Sequence, residues 1–304
     1  MRGMSASQKE AIEPDVDRLV SFTIPGRDAR GRVVRLGPVL QRILSAHAYG
    51  PAIKHLLAEA LVLTALLGGL VKRADSQVTL QAQTEGGIVE LLVCDYRDGE
   101  LRGYVKHDRE RLADIGANPS LPALFGKGYL AITFDVADVD QRYQGVVPLE
   151  GATLTEAVEA YFGQSEQVPT LIRAGVRVDA DVCLAGGLLV QHLADAEEGR
   201  DRLHARADRP EWEHVAILAQ SVQDEELVDT QLSSEALIWR LFNEEREVRV
   251  QEATPLSRGC RCSVVHFEEV LARFPKEDRR EMRDENGIIR VDCAFCSREF
   301  PIQD

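Results

Sequence analysis

The chain has 304 residues, of which 44% are hydrophobic and 28% charged, and acidic side chains outnumber basic ones to give a net charge of -14. Those values suit a folded chain of one large domain or two smaller ones, and they exclude a whole-surface field that would draw nucleic acid or anionic lipid. The opening "MRGMSASQKEAIEPDVDRL" is polar and mixed in charge, without the apolar core of a secretory signal; the expected compartment is the cytoplasm, where structural disulfides are uncommon.

From Leu36 to Arg73 the apolar spacing is helical, with Val39, Leu40, Ile43 and Leu44 on one face. A break at Gly50-Pro51 divides it into two helices. The second contains "LLAEALVLTALLGGLV", Leu56 to Val71, which is shorter than a bilayer span and carries Glu59 and a Gly68-Gly69 pair. A buried helix is expected there, and no membrane partner.

"QVTLQAQTEGGIVELLVCDYRDGELRGYVK" then alternates apolar and polar residues around Glu85-Gly86-Gly87 and Asp98-Gly99. This pattern predicts a three-stranded antiparallel meander. "GYLAITFDV" and "QRYQGVVPLEG" predict two more strands. "TLTEAVEAYFGQSEQVP" reads as a helix opened by Thr153 with Glu156 and closed near Pro169, and "TLIRAGVRVDADVCLAGGLLVQHL" as two strands around an acidic turn.

The charge-dense run "ADAEEGRDRLHARADRP" marks a domain boundary. Beyond it Trp212, Val215, Leu218 and Val222 recur at helical spacing, and "SSEALIWRLFNEE" gathers Leu237, Ile238, Trp239, Leu241 and Phe242. Helices this short cannot build a core alone and must lean on another surface. A further amphipathic helix, "FEEVLARFPKEDRREMRDENG", is expected to stop at Asn286-Gly287. The resulting fold class is α+β: an N-terminal domain over 1–195 with an antiparallel sheet, a helical linker over 196–255, and a small cysteine-bearing domain over 256–304.

Four of the six cysteines fall in that last segment, as Cys260-x-Cys262 and, thirty residues on, Cys293-x-x-Cys296. Two short chelating pairs suit a tetrahedral thiolate site for one zinc ion, in a segment small enough to need a metal for folding. Basic and acidic residues nearly balance from Leu256 to Asp304, which disfavours a nucleic-acid-reading ribbon. A catalytic zinc would want an open position, and only His266 lies close in sequence, a residue to test for a supporting role. The spacing leaves open a purely structural knuckle and a redox switch, because zinc-bound thiolates are also the species that oxidants attack. A disulfide within the CxC pair would be strained and readily reduced.

The chain resembles the thirty-three-kilodalton heat-shock protein family of bacterial redox-regulated holdase chaperones. The likeness runs through "EALVLTALLGGLVK", "LRGYV", "YQGVVPLEG", "AYFGQSEQVPT", "AGGLLVQHL", "LIWRLFNEE" and the "CRCS…CAFC" tail. It implies Cys260, Cys262, Cys293 and Cys296 as zinc ligands in an inactive reduced form, with Cys260–Cys262 and Cys293–Cys296 as the oxidised pairs. It also implies that oxidation releases zinc, unfolds the linker, promotes a homodimer and exposes a surface for unfolding client proteins, without ATP. Trp212, Val215, Leu218, Leu237, Trp239 and Phe242 are the candidate client-binding residues, expected to be docked core while the protein is reduced.

Two other classes remain as alternatives: a thiol–disulfide oxidoreductase using Cys293 and Cys296, and a structural zinc module on an interaction domain. The first would place its CxxC at a helix start after a strand, whereas "VDCAFCSREF" runs to the chain end. Cys94 and Cys183 read as small buried hydrophobes. Without a Walker loop, dinucleotide fingerprint, GxSxG or HExxH, neither an enzyme nor an ATP-driven chaperone is expected.

Overall fold

A computed structural model describes residues 15–71, 73–114, 119–137, 141–179, 182–193 and 210–303. The opening lead-in and most of the charge-dense boundary, residues 194–209, lie outside the described residues.

The chain runs β1 (Arg18–Ile24), β2 (Ala29–Leu36), α1 (Pro38–Leu44), α2 (Pro51–Gly68), β3 (Gln77–Thr84), β4 (Val89–Arg97) and β5 (Glu100–His107). It continues through α3 (Arg109–Ala113), α4 (Leu121–Phe125), β6 (Gly128–Val136), β7 (Gln141–Pro148), α5 (Leu154–Tyr161), β8 (Thr170–Val178) and β9 (Cys183–His192). The final third holds α6 (Pro210–Gln220), α7 (Asp224–Leu227), α8 (Ser234–Phe242), β10 (Arg249–Val250), β11 (Thr254–Pro255) and β12 (Ser257–Arg258). Last come α9 (Val264–Leu271), α10 (Lys276–Glu281), β13 (Ile288–Asp292) and β14 (Glu299–Gln303).

The first sheet has the order β10-β1-β2-β9-β8, with β11 also on β1; the second has the order β12-β5-β4-β3-β6-β7; β13 and β14 form a separate ribbon. Every pairing is antiparallel except β12 on β5. The expected meander is β3-β4-β5, and its Asp98-Gly99 turn has φ of 48° and 82°, the positive pair a tight two-residue hairpin needs.

Helix α2 lies between the sheets. It starts at Pro51, where the missing N–H costs nothing because a first-turn amide has no intrahelical partner. It is apolar on nearly all sides since it meets a sheet on each: Leu57, Leu61 and Leu66 join one core with Val34 and Leu189 of the first sheet and Leu80, Leu92 and Ile132 of the second. This is the one helix among the described residues long and apolar enough for a membrane span, and 72% of it is buried inside the protein.

Alternation along each strand leaves an outer face on either sheet. On the first sheet Val20, Phe22, Val33, Leu188 and Val190 point away from α2 and pack with Val215, Ala219, Leu237, Ile238, Leu241 and Phe242 of the linker helices in a second core. The molecule is therefore layered, with α6 to α8 on one outer face and the cysteine-bearing segment on the other.

Three features depart from the sequence reading. Residues 18–36 form two strands where the sequence reading assigned no element; Arg30, Arg32 and Arg35 break the apolar pattern of β2, and tertiary acceptors satisfy them. The amphipathic helix after the first cysteine pair is two helices, α9 and α10. Pro275 stands at the N-cap of α10 with ψ of 150°, and a proline disfavours helical backbone at the residue before it. Trp239, expected to be docked, is 68% exposed. On α8 the buried apolar positions are Leu237, Ile238, Leu241 and Phe242, and Trp239 falls between the two pairs on the solvent side.

Candidate metal centre and its docking surface

The two cysteine pairs come from loops with no regular structure of their own. Cys260 and Cys262 follow β12, and Cys293 to Cys296 form the turn between β13 and β14. In that turn the amides of Cys296 and Ser297 both donate to the Cys293 carbonyl, at 3.3 and 2.8 Å, and Ser297 adopts a φ of 55°. This knuckle aims both sulfurs inward at the first pair. It is not the start of a helix, so the arrangement an oxidoreductase CxxC favours is absent at this site.

The four sulfurs lie within 4.8 Å of one another, a cluster of a size to hold one metal ion. The Cys260–Cys262, Cys262–Cys296 and Cys260–Cys293 sulfur separations are 3.1, 3.5 and 3.6 Å. Four ligands at about 2.3 Å from a common tetrahedral centre stand roughly 3.8 Å apart, so the donor set fits zinc in both chemistry and size. His266 is exposed on the first turn of α9 and is not among the clustered ligand atoms.

All six cysteines are free thiols, and nearness does not single out one disulfide pairing, because the cross-pair separations of 3.5 and 3.6 Å are only slightly longer than the 3.1 Å between Cys260 and Cys262. Burial pushes the Cys293 thiol up, the main-chain groups of Phe295 and Cys296 opposing it. At Cys260 burial acts the same way, but hydrogen bonds from Cys262, Cys293 and Cys296 outweigh it and draw this thiol below its ordinary value. A compact group of thiols that share protons in this way relieves its crowding by exchanging protons for one cation.

The core around the site is small. Leu271, Ile289, Phe300 and Ile302 pack with Cys293, and Phe267 and Phe295 lean on them. Such a core is too thin to fold a segment of this length unaided.

The module sits on the outer face of the second sheet. Phe295, inside the CxxC turn, projects onto that face with the Arg102 guanidinium 4.0 Å from its ring centre and the Tyr104 ring edge-on at 5.0 Å. Arg102 is in turn held by Asp95 at 2.6 Å, whose carboxylate also accepts from Thr79 at 2.7 Å. Arg261, between the first two cysteines, donates to Gln77 of the same face. Beside them β12 pairs with β5, the amides of Ser257 and Gly259 donating to Gly99 and Leu101 carbonyls at 2.9 Å each. His47, from the α1–α2 loop, meets Ser297 with 3.0 Å between Nδ1 and Oγ.

Of the candidate client-binding residues, Val215, Leu237 and Phe242 are fully buried against the first sheet, Phe242 with its ring 5.6 Å from Phe22. Trp212 and Leu218 are half-buried, Trp212 edge-on to His192, and Trp239 faces solvent. Cys94 is wholly buried beside Gly103, and Cys183 is half-buried at the β8–β9 hairpin. Sequence reading did not single out Phe295, Arg102, His47, Asp15 or Arg35. A phenylalanine between two clustered cysteines, in a turn with little core of its own to fill, was the available signal for the first.

Fold and site together define a class: a two-sheet α+β scaffold that carries a four-thiol module at its C-terminal end. A family model described as Hsp33 protein matches residues 17–303. A 33 kDa chaperonin of Caulobacter vibrioides is 38% identical over 304 residues, covering 96% of this chain and 97% of that one. Another, from Nitrosococcus oceani, is 34% identical and covers 93% and 90%. The crystal structure of the 33 kDa chaperonin of Thermotoga maritima shares the fold with a TM-score of 0.77 at 21% identity, over 94% of this chain and 95% of that chain. The chain belongs to the Hsp33 family, whose members are chaperones of client proteins and not enzymes.

Proposed function

We propose that the chain is a redox-regulated, ATP-independent holdase of the cytoplasm, acting under oxidative stress. The observation that carries this reading is the gathering of four thiols, close enough for one metal ion, in a module whose own core is too small to persist without a crosslink. Cys260, Cys262, Cys293 and Cys296 hold one zinc ion in the reduced, inactive form, and the bound metal would supply both the crosslink and the thiolate state.

An oxidant such as peroxide takes two electrons from each cysteine pair. Cys260–Cys262 and Cys293–Cys296 each form one sulfur–sulfur bond, and each peroxide consumed becomes two waters with two protons. The module then offers no thiolate donors, loses its zinc and unfolds. Residues 1–195 act as the chaperone core, 196–255 as the metastable linker and 256–304 as the switch. Once the module and linker let go, the apolar faces of α6 and α8, with Trp212, Val215, Leu218, Leu237, Trp239 and Phe242, and the first-sheet face beneath them become available to unfolding clients, in a form that dimerises.

The test compares zinc content, far-UV circular dichroism and suppression of aggregation of a heated client before and after peroxide. Oxidation is expected to eject one zinc per chain, lower helicity and switch suppression on. Retained zinc, or unchanged aggregation after oxidation, overturns the reading, and catalytic reduction of insulin would put an oxidoreductase in its place.

A further inference from the structure

The seat of the linker on the first sheet is built around a feature that its apolar contacts do not require. Arg35 lies on β2 facing the linker helices and is 0% exposed. Across the sheet its neighbours in register are Gly186 on β9 and then Gly175 on β8. Without side chains at these two positions the main chain of α7 comes down onto the sheet itself. A methyl group at Gly186 would collide with the Leu227 carbonyl oxygen, and one at Gly175 would lie 2.5 Å from that of Asp224.

Arg35 fills the remaining side of this trough. Its Nε donates to the Leu227 carbonyl at 2.9 Å, Nη1 to that of Leu232 at 2.9 Å and Nη2 to that of Glu226 at 3.3 Å. Nη1 also meets the Asp15 carbonyl and carboxylate, at 3.1 and 3.2 Å. The same Asp15 carboxylate accepts from the amide and hydroxyl of Ser234, at 2.6 and 2.7 Å, at the start of α8. One ion pair thus brackets residues 226–234: the end of α7, the connection and the beginning of α8.

We propose that Arg35, seated beside Gly186 and Gly175 and paired with Asp15, is the positioning residue that latches the linker shut, so that releasing it is all-or-none. The inference rests on the reading that linker release activates the protein. A buried guanidinium deprived of its carbonyl acceptors is an uncompensated charge, so a partly lifted linker is disfavoured: the trough is either filled by residues 224–234 or open to water. Apolar contacts alone would let the helices slip by degrees. Because the linker acceptors of Arg35 are main-chain carbonyls, the Ser234 hydroxyl is the one linker side chain named in the latch, and most of its specificity resides on the sheet.

The experiment uses the full reduced, zinc-loaded chain and compares Arg35→Met, Gly186→Ala and Asp15→Ala with the parent. It reads the rate of protease cleavage within 210–242 under native conditions, zinc content, far-UV circular dichroism and suppression of client aggregation. Each folded variant is expected to keep one zinc per chain and intact sheets while linker cleavage accelerates at least about tenfold, the ratio one hydrogen bond to a charged group sustains. Cleavage within about twofold of the parent in a folded variant overturns the latch. Asp15 lies outside the strands, so that variant decides should the two strand substitutions not fold. An opened linker that leaves aggregation unchanged upholds the latch and counts against linker release as the activating step.

Discussion

The two outer faces of the molecule hold their cargo by different physics. On the first sheet the linker helices share a continuous apolar core with the strands, and a buried arginine fixes their register. On the second sheet the cysteine module touches through one aromatic side chain, a two-residue strand pairing and a few polar contacts, and its cohesion is internal. Helices α6 to α8 are therefore stabilised by where they sit, whereas the module, with its thin core, depends on the metal ion proposed for it. On the proposed function, a chemical event at the four sulfurs dismantles the module directly and reaches α6 to α8 through the stretch that joins them, where β10 and β11 pair with β1 and β12 pairs with β5.

The strongest way to break this asymmetry is metal removal. Structural zinc contributes about 10–16 kcal/mol of apparent binding energy to a small domain, more than a core of this size supplies. Treatment with a strong chelator under reducing conditions should abolish amide protection across 260–303 while the amides of β3, β4 and β9 remain protected. Hydrogen exchange reads both regions in one experiment, and a module that keeps its protection without metal would show that its apolar core is sufficient.

Next in size are truncations beneath the linker. Phe242→Ala removes a fully buried ring packed on Phe22 and should cost about 3–5 kcal/mol. The loss should appear in urea unfolding as an early transition of α6 to α8, with zinc content unchanged. Trp239→Ala, three residues earlier on the same helix, should stay within about 0.5 kcal/mol because that ring is exposed. Equal costs for the two would mean that α8 does not sit on the sheet in solution.

Those two aromatics also mark how far the sequence could be read. Alternation and turn chemistry located β3 to β9, and the break at Gly50-Pro51 located the start of α2, because those elements obey local rules that tertiary contacts reinforce. The cysteine spacing likewise brought out all four clustered thiols, since short chelating pairs leave few other arrangements. Periodicity could not say which side of α8 is buried, because five large apolar residues crowd nine positions and the sheet selects the face. Strands β1 and β2 were hidden for the opposite reason. Arg30, Arg32 and Arg35 look like solvent residues until Gln191, the Gly69 carbonyl and the α7 carbonyls arrive from distant parts of the chain. Docking surfaces were equally illegible: nothing near Phe295 in sequence indicates Arg102 or Tyr104.

A smaller effect tests the module's contact with the second sheet. Phe295→Ala loses a cation–π contact worth about 0.5–1 kcal/mol and an edge-on aromatic pair worth about 0.5–1.5 kcal/mol. The four sulfurs are untouched, so zinc should remain bound while exchange at the outer face of β5 increases. A double-mutant cycle with Tyr104→Ala isolates the aromatic term, and a coupling near zero would mean that the module moves independently of the sheet.

The weakest expected effect lies at the edge of the same contact and depends on pH. Burial holds His47 below the ordinary imidazole value of about 6.5, with Arg258 and Arg109 acting in the same direction and the main chain of Ala294 and Phe295 opposing them. A base whose folded pKa is depressed binds protons more readily when undocked. Its contribution is therefore complete above about 6.5 and declines as pH falls through that value, levelling off once the docked imidazole also protonates. Acidification from pH 7.5 to 5.5 should loosen the knuckle from the α1–α2 loop, seen as faster exchange at Ser297, and His47→Gln should flatten that dependence. Zinc thiolates are also lost at low pH, so the measurement is confined to the range in which metal content stays constant; a pH dependence that survives His47→Gln there would assign the effect to another group.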